Sequence, residues 1–586
     1  MSTPVLLDTP DLQEMEGPLA AALYDLGGAV VNALHPDFGA VRDGAGQVTN
    51  GTEVLQAAID FAAAAGGGKV VVPPSVYLLD DWVYVASQVT VEGIPGNHLK
   101  VNGCAFRNAS FETATDPGTD CDIGLVGLAI EDTSLDPGAE PPDAPGLISL
   151  KLVDRMRVER CRIWQTGTNL YLYGIKIYNT VRDSHILHNH HVLCGDFVYM
   201  LGGESDNVDI RGNTVRGRRD LNVIPNGISL WFGARRIRVV ENDVREIGDE
   251  GISVQECSNV LIQGNVVGEC DSACIDVRGA NTGVDVLGNN CFASNEGQGI
   301  IRVSRLSTGG VPVGVNVVGN VVDATPVSQA GPAIKVDGAE DVTIEANTVF
   351  STSDSGSGIS VMGGARNVSV SHNTVRAVTI GIEFQGCTAC SCIDNYVSGC
   401  QQSGIRTNST APSRLLIAGN VSSCNGRGAA FRAGIEVPLG DRVRLVGNQC
   451  FDDTVPPTQA FSIIVGAAVT NAWILDNDVS QGGLQLAPTA GAVLVRDNRG
   501  YNTKASDSVA VAAGTTTKVV SHGMNRDVDS IRFIYVVPRS SLFGAGSYWI
   551  TDPTPGDGKF TINLENAPTA DVSFVWGISS ERKTTW

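Results

Sequence analysis

The sequence predicts an all-β fold: a right-handed parallel β-helix (a solenoid) with an N-terminal capping helix and a small C-terminal β-sandwich-like module. Three observations predict it. A short phrase recurs along most of the chain, each copy alternates apolar and polar residues with strand period, and the composition suits stacked short strands. Of 586 residues 68 are Gly, 18% are charged, 6% are aromatic and 42% are hydrophobic. That apolar content, regularly spaced, excludes a disordered chain. A length of 586 exceeds one ordinary core, so a repeat array or several domains is expected.

The phrase reads hydrophobic-x-hydrophobic-x-[Gly/Asp]-Asn-x-Val, as in VDIRGNTV, IRVVENDV and VLIQGNVV. Its asparagine falls at Asn189, Asn213, Asn242, Asn265, Asn289, Asn320, Asn347, Asn373, Asn395, Asn420, Asn448, Asn477 and Asn498. A second phrase precedes each copy: GISL, GISV, CIDV, IIRV and AIKV are examples. Both alternate with period two, the signature of strands rather than helices. Two or three short strands per turn with Gly/Asn corners describe one coil. Asparagine suits a corner because it tolerates left-handed backbone, and stacked amides can ladder from coil to coil. A leucine-rich repeat would need a helix per repeat, and a propeller a longer period with four strands.

The ends differ. Residues 1–34 hold one amphipathic stretch, PLAAALYDLGGAVVNAL, read as an attachment or oligomerisation segment. Residues 35–85 form the entry to the solenoid, where TEVLQAAIDFAAAA predicts a helix that covers the first coil's open end. The solenoid spans 86–500. Residues 505–586 carry short alternating strands between Gly/Pro/Asp turns, a sandwich-like module for trimerisation or carbohydrate binding. Of its aromatics Tyr535, Tyr548, Trp549, Phe574 and Trp576, most are assigned to its core.

A net charge of −22 argues against nucleic-acid binding, because phosphate contacts need a basic face. No apolar run reaches the length of a membrane span, so no membrane insertion is expected, and no signal-peptide pattern opens the sequence. The GGGK run is not a phosphate loop, since no Ser or Thr follows the Lys and the strand comes after the glycines.

The run DFGA-x-x-DG, a helix, then GGGKVVVPPSVY resembles the entry segment of the pectate-lyase-like superfamily, whose members include bacteriophage tailspikes and capsule depolymerases. The likeness covers 35 to about 85 by motif and about 85 to 500 by repeat pattern. The order TTKVVSHGM, SIRFIYVVPRS, SYWITD, FTINL, DVSFVW is similar to modules at the ends of phage tail fibres and spikes. The resemblance implies a phage tailspike-type depolymerase. Such a protein is a homotrimer on the virion tail, made in the host cytoplasm and joined to a tail or baseplate protein through its N-terminus. It binds and cleaves a bacterial surface polysaccharide (capsule, exopolysaccharide or O-antigen) by glycoside hydrolysis, without a cofactor. The alternatives are a polysaccharide lyase or uronate epimerase on the same fold, a non-catalytic receptor-binding fibre, and a secreted location.

Aligning the second phrase gives two outward columns. One holds Lys176, Tyr199, Ser229, Ser253, Asp276, Arg302, Lys335, Ser360, Glu383, Arg406 and Glu436; the next holds Tyr178, Leu201, Trp231, Gln255, Arg278, Ser304, Asp337, Met362, Gln385 and Asn408. With coils about 4.8 Å apart, these are surface ladders. Asp249, Glu250, Asp271 and Asp276 are the candidate catalytic set, because carboxyls one coil apart reach the roughly 5–9 Å that glycoside hydrolysis uses. Like-charge crowding keeps one of them protonated. Trp231, Gln255, Arg278, Arg302, Lys335 and Glu383 are the candidate substrate contacts. GDEGISV is similar to the acidic corner of β-helix polygalacturonases, with Gly248-Asp249-Glu250 in place of their GDD, although their two further motifs do not appear. Lys176, Tyr199 and Arg302 carry the lyase alternative.

Two further clusters are assigned to structure rather than to metal. Histidines 185, 188, 190 and 191 alternate across a strand and read as corner and surface residues. Cys387, Cys390, Cys392 and Cys400 lack a recognisable zinc spacing and read as a buried stack.

Overall fold

The computed structural model describes residues 22–25, 28–135, 146–170, 172–193, 195–217, 225–294, 299–307, 309–325, 331–351, 356–428, 432–487, 492–501, 504–524, 534–551 and 558–579. It divides into two compact units, residues 1–368 and 369–586. The chain is an all-β parallel solenoid of about 14 turns.

In the first unit the strand Ala22–Asp25 pairs antiparallel with Gly28–Asn32, which pairs in parallel with Gly68–Val72. Part of the amphipathic N-terminal stretch is thus a hairpin joined to the sheet; residues 1–21, 26 and 27 lie outside the described residues. The predicted helix forms over Gly51–Ala64 and buries Val54, Leu55, Ala58, Ile59 and Ala62, spaced at three and four residues.

Each regular coil contributes three strands, for example Ile252–Gln255, Ser258–Gln263 and Val266–Cys270. The strands stack in parallel on the equivalent strands of neighbouring coils. Their inward Val and Ile side chains are almost wholly buried.

The asparagine column is a continuous hydrogen-bonded ladder within each unit. Asn242 receives the Asn213 main-chain N–H at 3.0 Å and its amide N–H at 2.9 Å on one side-chain oxygen. Asn242 in turn donates to Asn265 Oδ1 and to the Ile210 carbonyl. The second unit repeats this from Asn373 to Asn498. The left-handed backbone falls one residue earlier than expected: Gly212, Glu241, Gly264, Gly288 and Asp394 have positive φ, and the asparagines do not. The asparagine is kept for its amide, and the preceding residue makes the corner, which explains the Gly/Asp preference there.

In the second unit Ile380–Phe384, Ile405–Thr407, Ala433–Gly440, Phe461–Val469 and Leu484–Leu486 carry the stack. Cys387, Cys390, Cys392 and Cys400 are buried in it, as expected. The C-terminal module holds two three-stranded antiparallel sheets around Phe560, Phe574, Trp576 and neighbouring aliphatics. Phe574 and Trp576 are core, Tyr548 is half-buried with its hydroxyl donating to the Val536 carbonyl, and Tyr535 and Trp549 are exposed.

Candidate functional site

The outward columns are in register. Lys176, Tyr199, Ser229, Ser253, Asp276, Arg302, Lys335 and Ser360 pair strand to strand, as do Tyr178, Leu201, Trp231, Gln255, Arg278, Ser304, Asp337 and Met362. The first column is not the surface ladder expected, because Ser229, Ser253 and Asp276 are fully buried and Lys176 and Arg302 nearly so. The neighbouring column and the turn before each strand close over it: the Trp231 indole donates to Ser253 Oγ at 3.3 Å, and Ser229 Oγ donates to Asp196 Oδ2 at 2.6 Å.

The structure brings four predicted residues together. Arg302 Nε lies 2.6 Å from Asp276 Oδ1 and its Nη2 2.8 Å from Glu250 Oε1. Arg278 lies 2.7 Å from Asp276 Oδ2 and 3.0 Å from Glu250 Oε1. The Arg278–Asp276 contact is an ion pair without hydrogen-bond alignment, since neither Arg278 Nε nor Asp276 Oδ2 finds a hydrogen-bond partner. Glu250 Oε2 is also buried without one. Glu250 is pushed up to about 8, first by burial, then by the Asp276 and Asp249 charges, against the pull of both arginines. At neutral pH it therefore holds its proton.

The other predicted residues stand around this quartet or away from it. Asp249 is half-buried on the same turn, its charge raising Glu250. Asp271 is half-buried on the turn after Cys270, its amide bonded to the Ile247 carbonyl. Gln255 stands between Trp231 and Arg278 in the half-buried column. Lys335 follows Arg302 in register but pairs with Asp337 at 3.4 Å. Glu383 belongs to the second unit, buried, accepting from Asn408 Nδ2 at 2.8 Å and in register with Arg406 and Glu436. It is part of a separate set there, with Arg432 3.4 Å from Glu436.

Sequence reasoning missed Asp196 and Asn226. Asp196 is buried, accepts from the Asn226 N–H at 2.8 Å, and is raised to about 7 by burial and by Asp249, against its Ser229 and Asn226 hydrogen bonds. Asn226 Oδ1 receives the Glu250 N–H at 3.1 Å. All three stand two residues before the first apolar residue of their strands, so one more aligned column (Asp196, Asn226, Glu250) would have found them. Of the histidines, 185, 188 and 190 are exposed, but His191 is a core residue, held down to about 3 by burial and by His190.

The family model for the right-handed β-helix region matches residues 146–322 and 313–479, together more than half of the chain. The chain belongs to that family of right-handed parallel β-helix proteins. No curated protein matches it. Among solved structures it is similar to an N-terminal fragment of gene product 12 of bacteriophage phi29, at 12% identity over 80% of this chain and 93% of that one, TM-score 0.46. It is also similar to the tailspike protein of E. coli bacteriophage HK620, at 13% identity over 94% of this chain and 93% of that one, TM-score 0.41. A third is the A-module of the mannuronan C-5 epimerase AlgE4 of Azotobacter vinelandii, at 14% identity over 79% of this chain and 99% of that one, TM-score 0.39.

Proposed function

We propose that this β-helix protein acts on a bacterial surface polysaccharide, cleaving it by glycoside hydrolysis with Glu250 as proton donor and Asp276 as its partner carboxylate. The observation that carries this reading is the single Arg302 guanidinium that touches both carboxyls, 2.8 Å from Glu250 and 2.6 Å from Asp276, with burial and neighbouring charge raising Glu250 to about 8. Two carboxyls set apart by environment are the pattern that divides acid from nucleophile or base. Arg278 is the most exposed member of the quartet and lies across the pair, so a sugar reaches the acids by displacing its guanidinium. Virion tail location, a homotrimer and an N-terminal tail contact belong to the same reading.

One observation favours a second reading, a binding protein that does not cleave. Asp276 is wholly buried against Arg302, Arg278 and Glu250, the arrangement of a structural ion-pair cluster. Mass spectrometry of capsule, exopolysaccharide and O-antigen preparations treated with the wild type, E250Q and D276N separates the readings. Hydrolysis predicts new reducing ends without unsaturation and a loss of about 10²–10⁴-fold in E250Q. A 4,5-unsaturated end means a lyase, full cleavage by both variants removes this site, and no fragments from the wild type leaves the binder.

A further inference from the structure

Aromatic residues are scarce in this chain, yet a run of them is concentrated on one side of the quartet. The Arg107 guanidinium lies 4.0 Å over the Trp82 ring and 4.4 Å over the Phe111 ring. Phe111 meets Tyr178 edge-on at 5.3 Å, and Lys176 Nζ sits 4.7 Å from the Tyr178 ring and 4.8 Å from Tyr173. Tyr173 stacks on Tyr199 at 4.7 Å, Tyr199 meets Trp231 at 5.3 Å, and Trp231 is followed by the exposed ring of Phe232. The Trp231 indole then bonds to Ser253, whose register partner is Asp276.

Strand register places this belt along the solenoid axis. Tyr84, Arg107, Ser149, Lys176, Tyr199, Ser229, Ser253 and Asp276 form one unbroken column. From the coil of Trp82 to that of Trp231 is five coil steps, about 24 Å at the usual strand spacing. Trp82, Tyr173, Tyr178, Tyr199 and Trp231 are each half-buried, so their rings are fixed by packing yet partly open to solvent.

We infer that this belt is a glycan-binding track, on which a polysaccharide lies parallel to the solenoid axis with successive sugar rings against Trp231, Tyr199 and Tyr178. The inference rests on the proposed polysaccharide activity and names the subsites that serve it. Rings interleaved with a guanidinium, an ammonium and hydroxyls match a sugar chain, which offers an apolar ring face and hydroxyls in alternation. The belt also runs directly into the column that holds Asp276.

The test separates binding from cleavage. E250Q, as the full chain, is applied to an array of bacterial capsule, exopolysaccharide and O-antigen preparations, and each retained glycan is rebound by E250Q carrying Trp231→Ala, Tyr199→Ala or Tyr178→Ala. The track predicts about tenfold weaker binding per ring removed. It predicts near-full retention by Tyr199→Phe, which guards against a variant that misfolds, and by Tyr396→Ala, a partly exposed ring of the second unit. Unchanged binding in the three alanine variants overturns the track and leaves the cleavage reading intact. Retention of no glycan by E250Q also overturns it, while wild-type cleavage of the same preparations reports on the activity separately.

Discussion

Arg302 and Asp276 face each other across one coil boundary at 2.6 Å, both buried and both on the outward side of their strands. A charge pair withdrawn from water on the outer face of a solenoid has its own energetic consequences. Removing Arg302 takes hydrogen bonds from both carboxyls in a medium that solvates them poorly.

Arg302→Met is therefore expected to lose about 1–3 kcal/mol of stability, because it removes the hydrogen bonds that Asp276 Oδ1 and Glu250 Oε1 accept. Urea unfolding followed by circular dichroism measures it. An unchanged midpoint would show that the quartet contributes no net stability.

The acid pair also sets a pH dependence. In the folded chain Glu250 keeps its proton up to about pH 8, whereas an unfolded glutamate loses it near pH 4.3. The folded form thus binds more protons through that window, and stability falls as pH rises, by about 1.4 kcal/mol per unit for each such proton. Asp196, held near 7, adds in the same direction. E250Q should flatten the slope by about one proton and be more stable than the wild type at pH 8. Equal slopes in the two proteins would contradict a protonated Glu250.

Asn265→Ala should cost about 1–3 kcal/mol for each group it orphans. It removes the oxygen that receives the Asn242 main-chain and amide N–H groups, and the donor to the Val239 carbonyl. Thermal melts of the variant should fall below those of an exposed-site alanine such as Asn259→Ala. Indistinguishable melts would reduce the ladder to a by-product of coil spacing.

His191→Leu should stabilise the protein by about 1–3 kcal/mol, since neither buried ring nitrogen has a hydrogen-bond partner. The gain should widen as pH falls below about 6.5, where the unfolded histidine takes a proton that the folded one, near 3, refuses. A destabilised leucine variant would mean that the imidazole has a role that its surroundings do not reveal.

The solenoid was legible because its signal repeats. Thirteen asparagines mark the coils, the strand phrases align without gaps, and register follows from a period of two. The quartet was half legible. Alignment named Glu250, Asp276, Arg278 and Arg302, but their burial was not, because whether an outward side chain is covered depends on turn residues such as Asp196 and Asn226. His191 was misjudged for a related reason: strand alternation puts one of two adjacent histidines inside, and composition alone does not say which. Glu383 aligned in sequence with the column, yet it lies in the second unit, whose ion pairs are its own.

Because each asparagine amide serves the next coil with the same donors and acceptor, a coil is a self-contained cassette. A duplication or deletion of one repeat would restore every ladder contact on either side of the change while moving the acid pair one coil along the aromatic belt. The reach of the protein along a polymer can thus be rewritten by a single in-frame recombination that keeps the two acids together.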